Sequence, residues 1–196
     1  QHSQHLPSTL SDALATLREL DPNGEVPDYS TLHRVAVEFA ASGDALSARD
    51  ALFAIERLGE PARRGTSAIV LGALGRKRLT VEAEELLDRL WSRQLRTGDG
   101  TESIGLSQEQ WNARRPDPKM VVTAADCAVR AGRVDIAASL ISKMESNGFP
   151  SSLHALSVLL KGYGRARRPE DVRKILQVCR RRNLRPDLIL LNSAID

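Results

Sequence analysis

The sequence predicts an all-α protein, built as an α-solenoid of antiparallel helix pairs that repeat every 35 residues. The composition favours closely packed helices over a β-sandwich, because Ala and Leu dominate the apolar residues and aromatics make up only 4% of the chain. Apolar side chains also recur at helical spacing. Equivalent residues recur at the 35-residue step, first in Ala13, Ala48 and Ala83 and then in Leu17, Leu52 and Leu87.

A single insertion interrupts this register. The step from Ala83 to Ala137 is 54 residues, which exceeds one repeat by 19. Residues 97–117 are rich in Gly, Ser, Asp and Pro and have no sustained apolar period, so they are predicted to form an inserted surface loop. We expect Trp111, inside this stretch, to attach the loop to the body of the protein.

The repeat step divides the chain into units. They are predicted to be a loose N-terminus (1–8), the second helix of a partial repeat (9–28), complete repeats (29–63, 64–98, 118–152 and 153–187) and the start of a truncated repeat (188–196). The predicted helix pairs are approximately 29–41 with 44–58, 64–76 with 79–93, 119–131 with 133–146, and 153–166 with 169–182. We therefore expect the natural protein to continue beyond residue 196.

Charge is distributed unevenly along the chain. Residues 1–112 carry 12 Lys/Arg and 17 Asp/Glu, whereas residues 113–196 carry 16 Lys/Arg and 8 Asp/Glu. The basic residues comprise 23 Arg and only 5 Lys. Arginine suits phosphate binding because its planar group presents several donors, although an ordinary solvated surface has the same composition.

Several classes of function are not expected. Two cysteines and four histidines show no disulfide framework or metal-ligand spacing, and no apolar run approaches the roughly 20 residues that span a bilayer. No catalytic constellation and no phosphate-binding loop of the Walker type is present. The sequence therefore predicts no enzyme, no metal, no cofactor and no membrane partner.

Short motifs at the ends of the units identify a family resemblance. Residues 131–148 read AGRVDIAASLISKMESNG, residues 183–187 read NLRPD, and residues 26–28 read VPD. These segments resemble the pentatricopeptide-repeat consensus, and the resemblance covers nearly everything from residue 9 onward except the insertion. The tetratricopeptide repeat is the nearest alternative, but its 34-residue step and its Trp-Leu-Gly-Tyr pattern are absent.

The resemblance implies a right-handed α-solenoid that binds single-stranded RNA at about one base per repeat. In this family the fifth and last residues of a repeat recognise the base. The corresponding pairs here are His33 with Arg63, Val122 with Ser152, and Ser157 with Asp187, and Asn192 is the fifth residue of the truncated unit. By this analogy only Ser157 with Asp187 resembles a pair that recognises a base, with a weak preference for guanine. An open alternative is that these units have lost base recognition and serve only as scaffold.

The thirteenth residue of each repeat is usually basic in this family and faces the RNA. The equivalent positions here are Ala41, Arg76, Arg130 and Arg165. The three arginines are therefore predicted to contact RNA phosphates. An alternative stays open, because arginine is also favourable near any helix C-terminus.

The resemblance thus predicts an organellar RNA-binding protein that acts in RNA processing, stabilisation, splicing or translation in a chloroplast or mitochondrion. A different class of function is a protein-interaction scaffold, such as a subunit of an organellar ribosome or another large assembly. Protein partners that bind through the insertion at 97–117 are a further expectation.

Overall fold

The computed structural model describes residues 29–97 and 102–184. These ranges form nine helices and one two-stranded sheet, in the order α1 (Tyr29–Ser42), α2 (Ala45–Arg57), α3 (Arg64–Arg76), α4 (Thr80–Trp91), β1 (Gln94–Thr97), β2 (Glu102–Gly105), α5 (Gln108–Arg114), α6 (Pro118–Arg130), α7 (Val134–Ser146), α8 (Leu153–Arg165) and α9 (Pro169–Arg181). The units predicted at 1–8, 9–28 and 188–196 lie outside the described residues.

The predicted fold class, an all-α helical-repeat fold, is confirmed. Every predicted helix of the described repeats is present, and each begins and ends within two residues of its predicted bounds. Local signals fix several starting points. Asp117 accepts a hydrogen bond from the backbone N–H of Met120, and Ser152 accepts one from Ala155. Such side chains satisfy N–H groups that a first helical turn leaves without a backbone partner.

The turn inside each helix pair has the same backbone geometry in all four repeats. A left-handed residue occupies the turn at Gly43 (φ 90°), Arg78 (59°), Gly132 (77°) and Arg167 (53°). The next residue donates its N–H to the carbonyl five residues earlier, as in Asp44 to Phe39, Leu79 to Leu74, Arg133 to Ala128 and Arg168 to Tyr163. This bond closes a helix C-terminus. The turns therefore recur at steps of 35, 54 and 35 residues, the register that the sequence predicts.

The described residues fall into two compact units. The first contains the described residues up to Ala73 together with Ser92–Arg115, and the second contains Leu74–Trp91 and the described residues from Pro116. In the first, α1 packs on α2 and α2 packs on β1. In the second, α6 packs on α7 and α8, and α9 packs on α8. The small repeat residues Ala48, Ala83 and Ala137 are buried, which places them in the helix-packing cores.

Ion pairs join the second helices of successive repeats in the second unit. Lys143 on α7 lies 2.9 Å from Glu84 and 2.8 Å from Asp88, both on α4. Burial by itself lowers the pKa of Lys143, but the hydrogen bonds that Lys143 donates to Asp88 and Glu84 outweigh burial and hold this pKa above its usual value. Lys143 thus stays charged and links α4 to α7 through two carboxylates.

The insertion differs from the predicted surface loop. β1 and β2 form an antiparallel hairpin, in which Leu95 pairs with Ile104, and α5 follows directly. A capping box starts α5, because Ser107 accepts from the N–H of Gln110 while the Gln110 side chain accepts from the N–H of Ser107. The loop prediction is wrong here because four-residue strands are too short to show a period, although the Ser-x-x-Gln spacing was visible in the sequence.

Candidate nucleic-acid interface

Three arginines occupy the last position of successive first helices. Arg76 ends α3, Arg130 ends α6 and Arg165 ends α8, and all three are exposed. Their positions follow from the repeat itself, because each precedes the same left-handed turn by two residues. The three arginines that are predicted to contact RNA phosphates therefore hold equivalent positions in three repeats.

Close contacts between the first helices bring these arginines onto neighbouring elements. A Cβ atom added to Gly162 on α8 would lie 2.8 Å from Cγ2 of Val129 and 2.9 Å from Cγ2 of Val134. One added to Gly75 on α3 would lie 2.4 Å from Sγ of Cys127 on α6. An added methyl group would force these side chains to shift, so Gly75 allows close packing on α6, and Gly162 allows close packing on α6 and on the start of α7.

Two of the arginines line one cavity in the second unit. It has a volume of about 280 Å³. Its lining consists of Val129, Arg130, Gly132, Val134, Gly162, Arg165 and Ala166. Arg130 and Arg165 are its only charged lining residues, so it offers two guanidinium groups above an apolar floor. Such an arrangement attracts an anion.

The two cavity arginines differ in their partners. Nε of Arg130 lies 3.1 Å from a carboxylate oxygen of Asp126, and Nη2 lies 3.2 Å from Sγ of Cys127. The Asp126 pair is largely exposed and joins residues four apart on one helix, so it contributes below about 1 kcal/mol. Arg165 has no ion-pair or hydrogen-bond partner for its side chain among the described residues.

His33, a predicted base-recognition residue, is buried in the first unit. Its Nδ1 atom lies 3.1 Å from Oγ1 of Thr66, and only 6% of the residue is exposed. Burial lowers the pKa of His33, and the positive charge of Arg63 lowers it further. His33 is therefore a neutral, hydrogen-bonded residue that links α1 to α3, while its predicted partner Arg63 is exposed.

Acid should weaken the fold through His33. Because the pKa of folded His33 is below the ordinary 6.5, its stabilising contribution is complete above pH 6.5 and is lost as the pH falls through the lower folded value. A His33→Gln variant keeps an uncharged polar group beside Thr66. We expect it to lose less thermal stability than wild type between about pH 7 and pH 5, and equal losses in the two melts would contradict this role.

The remaining predicted base-recognition residues are mostly engaged in the fold. Val122 is buried. Ser152 caps α8 through the N–H of Ala155, and the Ser157 hydroxyl donates to the carbonyl of Leu153 at 2.6 Å. Ser157 is half-buried and keeps its acceptor lone pairs. Asp187 and Asn192 lie outside the described residues.

A buried ion pair that the sequence does not predict attaches the insertion to repeat 29–63. Arg114 on α5 donates from Nε to a carboxylate oxygen of Glu56 on α2 at 3.0 Å, and from Nη1 to the carbonyl of Ser92 at 2.8 Å. Only 1% of the Arg114 side chain and 4% of the Glu56 side chain are exposed. No spacing signal identifies this pair, because the two residues are 58 positions apart.

A cluster of arginines surrounds Trp111 in the same insertion. The guanidinium of Arg93 lies 4.4 Å from the centre of the Trp111 ring, and that of Arg115 lies 5.0 Å away. Arg64, at the start of α3, donates from Nε to the carbonyl of Arg115 at 3.0 Å and also bonds the carbonyl of Asn112. Trp111 is 8% exposed, in agreement with its expected role in attaching the insertion.

Across residues 29–97 and 102–184, His, Cys, Asp and Glu side chains form no group able to hold a metal ion. None of the helices in those two ranges has the length and apolar character required to cross a membrane.

Together, the recurring helix pairs, the repeated turn and the in-register arginines define a helical-repeat protein. The model of one repeat family, described as "PPR repeat", matches residues 123–149 and 155–184, within the predicted repeats 118–152 and 153–187. These two segments, 57 of the 196 residues, are similar to pentatricopeptide repeats.

Solved structures support the fold. The pentatricopeptide repeat protein PPR10 from maize is similar over 94% of this chain, with 17% identity and a TM-score of 0.65. Two structures of PPR10 in complex with an 18-nt psaJ RNA element, one of them a triple Cys-to-Ser variant, are each similar over 98% of this chain, with 22% identity and a TM-score of 0.59. In every case the chain spans 24% of the matched protein's length. No curated protein sequence matches it.

Proposed function

We propose that this chain binds single-stranded RNA through the arginines at the ends of its first helices. The observation that carries the proposal is the cavity shared by Arg130 and Arg165, which places two cations from successive repeats around one space. Arg76 holds the equivalent place on α3. The PPR10 complexes with RNA support the same use of the fold.

Phosphate oxygens are the ligands that suit this cavity. A guanidinium binds phosphate through two parallel N–H donors, and Arg165 has no competing carboxylate among the described residues. Arg130 has only to leave its exposed pair with Asp126, at a cost below about 1 kcal/mol. Electrostatic attraction to the RNA backbone therefore exceeds what the fold loses.

Base recognition is proposed only for repeat 153–187, which contains Ser157. The Ser157 hydroxyl oxygen is able to accept a hydrogen bond from a base while the hydroxyl donates one to the carbonyl of Leu153. Asp187 is its proposed partner. The proposed setting is a chloroplast or mitochondrion, and the proposed process is RNA processing, stabilisation, splicing or translation. Only the similarity to pentatricopeptide repeats supports the setting and the process.

A specific observation favours the alternative, a scaffold in a large assembly. His33 and Val122 are buried, and Ser152 is occupied as a helix cap, so two of the three base-recognition pairs contain side chains committed to the fold. Repeats without base recognition still hold a solenoid together and present surfaces to protein partners. Such a scaffold does not need Arg130 and Arg165 to bind an anion.

The test is a titration of fluorescently labelled single-stranded RNA at several salt concentrations, starting at low salt. Replacing Arg76, Arg130 and Arg165 with alanine should reduce the slope of log K against log salt by about 0.7 per lost contact, and thus by roughly 2 in total. The loss should be the same for every RNA sequence. Ser157→Ala should instead change the preference for one base by about 1–3 kcal/mol.

The matched control removes three other arginines: Arg34, Arg89 and Arg173. Each forms an ion pair with a glutamate of its own helix, so this variant has the same net charge as the test variant. It should keep most of the salt dependence. If wild type and the Arg76, Arg130 and Arg165 variant bind RNA with equal affinity and slope, the arginines at the ends of the first helices do not bind RNA and this proposal fails. If wild type binds no RNA at all, the scaffold function replaces it.

A further inference from the structure

Trp111, in the insertion, is an aromatic platform for two arginines, Arg93 just before the insertion and Arg115 within it. Arg93 and Arg115 both lie within stacking distance of Trp111, at 4.4 and 5.0 Å from the ring centre. Trp111 itself is 92% covered, since only 8% of it is exposed. It therefore orients guanidinium groups and has no open face on which a nucleic-acid base would stack.

Buried contacts hold this platform in place. Arg114, next to Arg115 in the chain, bonds Glu56 on α2 and the carbonyl of Ser92, next to Arg93. Arg64 on α3 bonds the carbonyl of Arg115. The backbone next to Arg93 is therefore held through Ser92, and the backbone of Arg115 is held by Arg64. Both arginines should thus lose little conformational freedom when they bind a ligand.

Arg93 has no ion-pair partner among the residues that the structure describes. The residue is exposed. Arg96, on the exposed face of β1, also has no such partner. A guanidinium that stacks through its face keeps its N–H donors in its own plane, where they suit the oxygens of a phosphate. Arg63 adds a further exposed cation directly before Arg64.

We propose that Arg93 and Arg115, stacked on Trp111, form a second RNA contact that binds backbone phosphate without regard to base sequence. The inference rests on the proposed RNA function for the identity of the ligand. In the same unit His33 is buried, which leaves its repeat without a free pair for base recognition. The insertion thus supplies backbone affinity in a unit where base recognition is lost.

The experiment uses the full chain with labelled oligo-uridine, oligo-adenosine and single-stranded DNA of equal length. Arg93→Ala with Arg115→Ala should reduce the salt slope by about 0.7 per contact, and equally for all three probes, because phosphate is common to them. Arg93→Lys should keep most of the slope, since it keeps the charge. Thermal melts of each variant report whether the fold is intact.

Arg49→Ala is the matched control. Arg49 also lies over an aromatic ring, 5.4 Å from the centre of Phe53, but its Nη2 atom pairs with Asp50 at 2.8 Å. This variant should bind all probes as wild type does. The single variant Arg93→Ala covers the case in which the double variant unfolds, because the Arg93 side chain is exposed.

The outcomes separate the two proposals. If the Arg93 and Arg115 variants bind RNA like wild type while the Arg130 and Arg165 changes weaken binding, the cluster only stabilises the insertion and this inference is overturned. If only the Arg93 and Arg115 variants weaken binding, the insertion contact stands and the proposed contact at Arg76, Arg130 and Arg165 fails. If wild type binds none of the probes at the lowest salt, both proposals fail.

Discussion

Replacing Arg114 with alanine should lower the free energy of unfolding of the first unit by about 3–5 kcal/mol. The change leaves the Glu56 carboxylate buried without its cation, because only 4% of that side chain is exposed. It also removes the donor to the carbonyl of Ser92. An uncompensated buried charge is among the largest single penalties that a substitution can produce.

Denaturant titration followed by tryptophan fluorescence measures this loss, since Trp111 lies in the same insertion. Removing both charges together should restore stability, because no buried charge is then left without a partner. The double variant Arg114→Met with Glu56→Leu should therefore be much more stable than either single variant. Arg89→Ala is the control, because its pair with Glu85 is exposed and should contribute below about 1 kcal/mol. If Arg114→Ala and Arg89→Ala destabilise equally, the buried pair is not the anchor of the insertion.

Replacing Gly162 with alanine should destabilise the second unit by roughly 1–2 kcal/mol. Alanine gains up to about 1 kcal/mol over glycine in a helix interior, whereas overpacking costs about 1–3 kcal/mol. The cost of overpacking should exceed the gain in helix propensity here, because the added methyl group lies under 3.0 Å from both Val129 and Val134. Valine is branched at Cβ and has little rotamer freedom with which to move away.

Two matched changes test this explanation. Gly65→Ala adds a methyl group to α3 with nothing within 4 Å, so it should be neutral or slightly stabilising. Val129→Ala should partly rescue Gly162→Ala, because it removes one of the two clashing side chains. Thermal melts of wild type, Gly162→Ala, Val129→Ala and the double variant give the coupling energy. Simple additivity of Val129→Ala and Gly162→Ala would mean that the contact does not set the spacing of α6 and α8.

Much of the fold was predictable because the repeat carries the same signals in each unit. Pro169 at a helix start and Gly132 at a turn act within a few residues, so their effects are visible in the local sequence. Arg167 takes the left-handed turn conformation without being glycine, and only its place 35 residues after Gly132 relates it to that turn. Repetition therefore compensated for a weak local signal.

The candidate site was predictable only in its periodic part. The 35-residue step placed Arg130 and Arg165 at equivalent positions, and the shared cavity agrees with that placement. The step gave no information on burial, and the family resemblance therefore also proposed His33, which the fold uses as a buried partner of Thr66. A position in a repeat determines the direction of a side chain from its own helix but not what the neighbouring helix places against it.

The sequence alone determined the helix pairs, their register and the position of the 19-residue insertion, because hydrophobic period, turns and caps act over short distances. Only the tertiary structure decided what the insertion does. The bond from Arg114 to Glu56 and the stacking of Arg93 and Arg115 on Trp111 join residues far apart in the chain. Such contacts form when chain segments meet in three dimensions, and nothing in their local sequence specifies the partner.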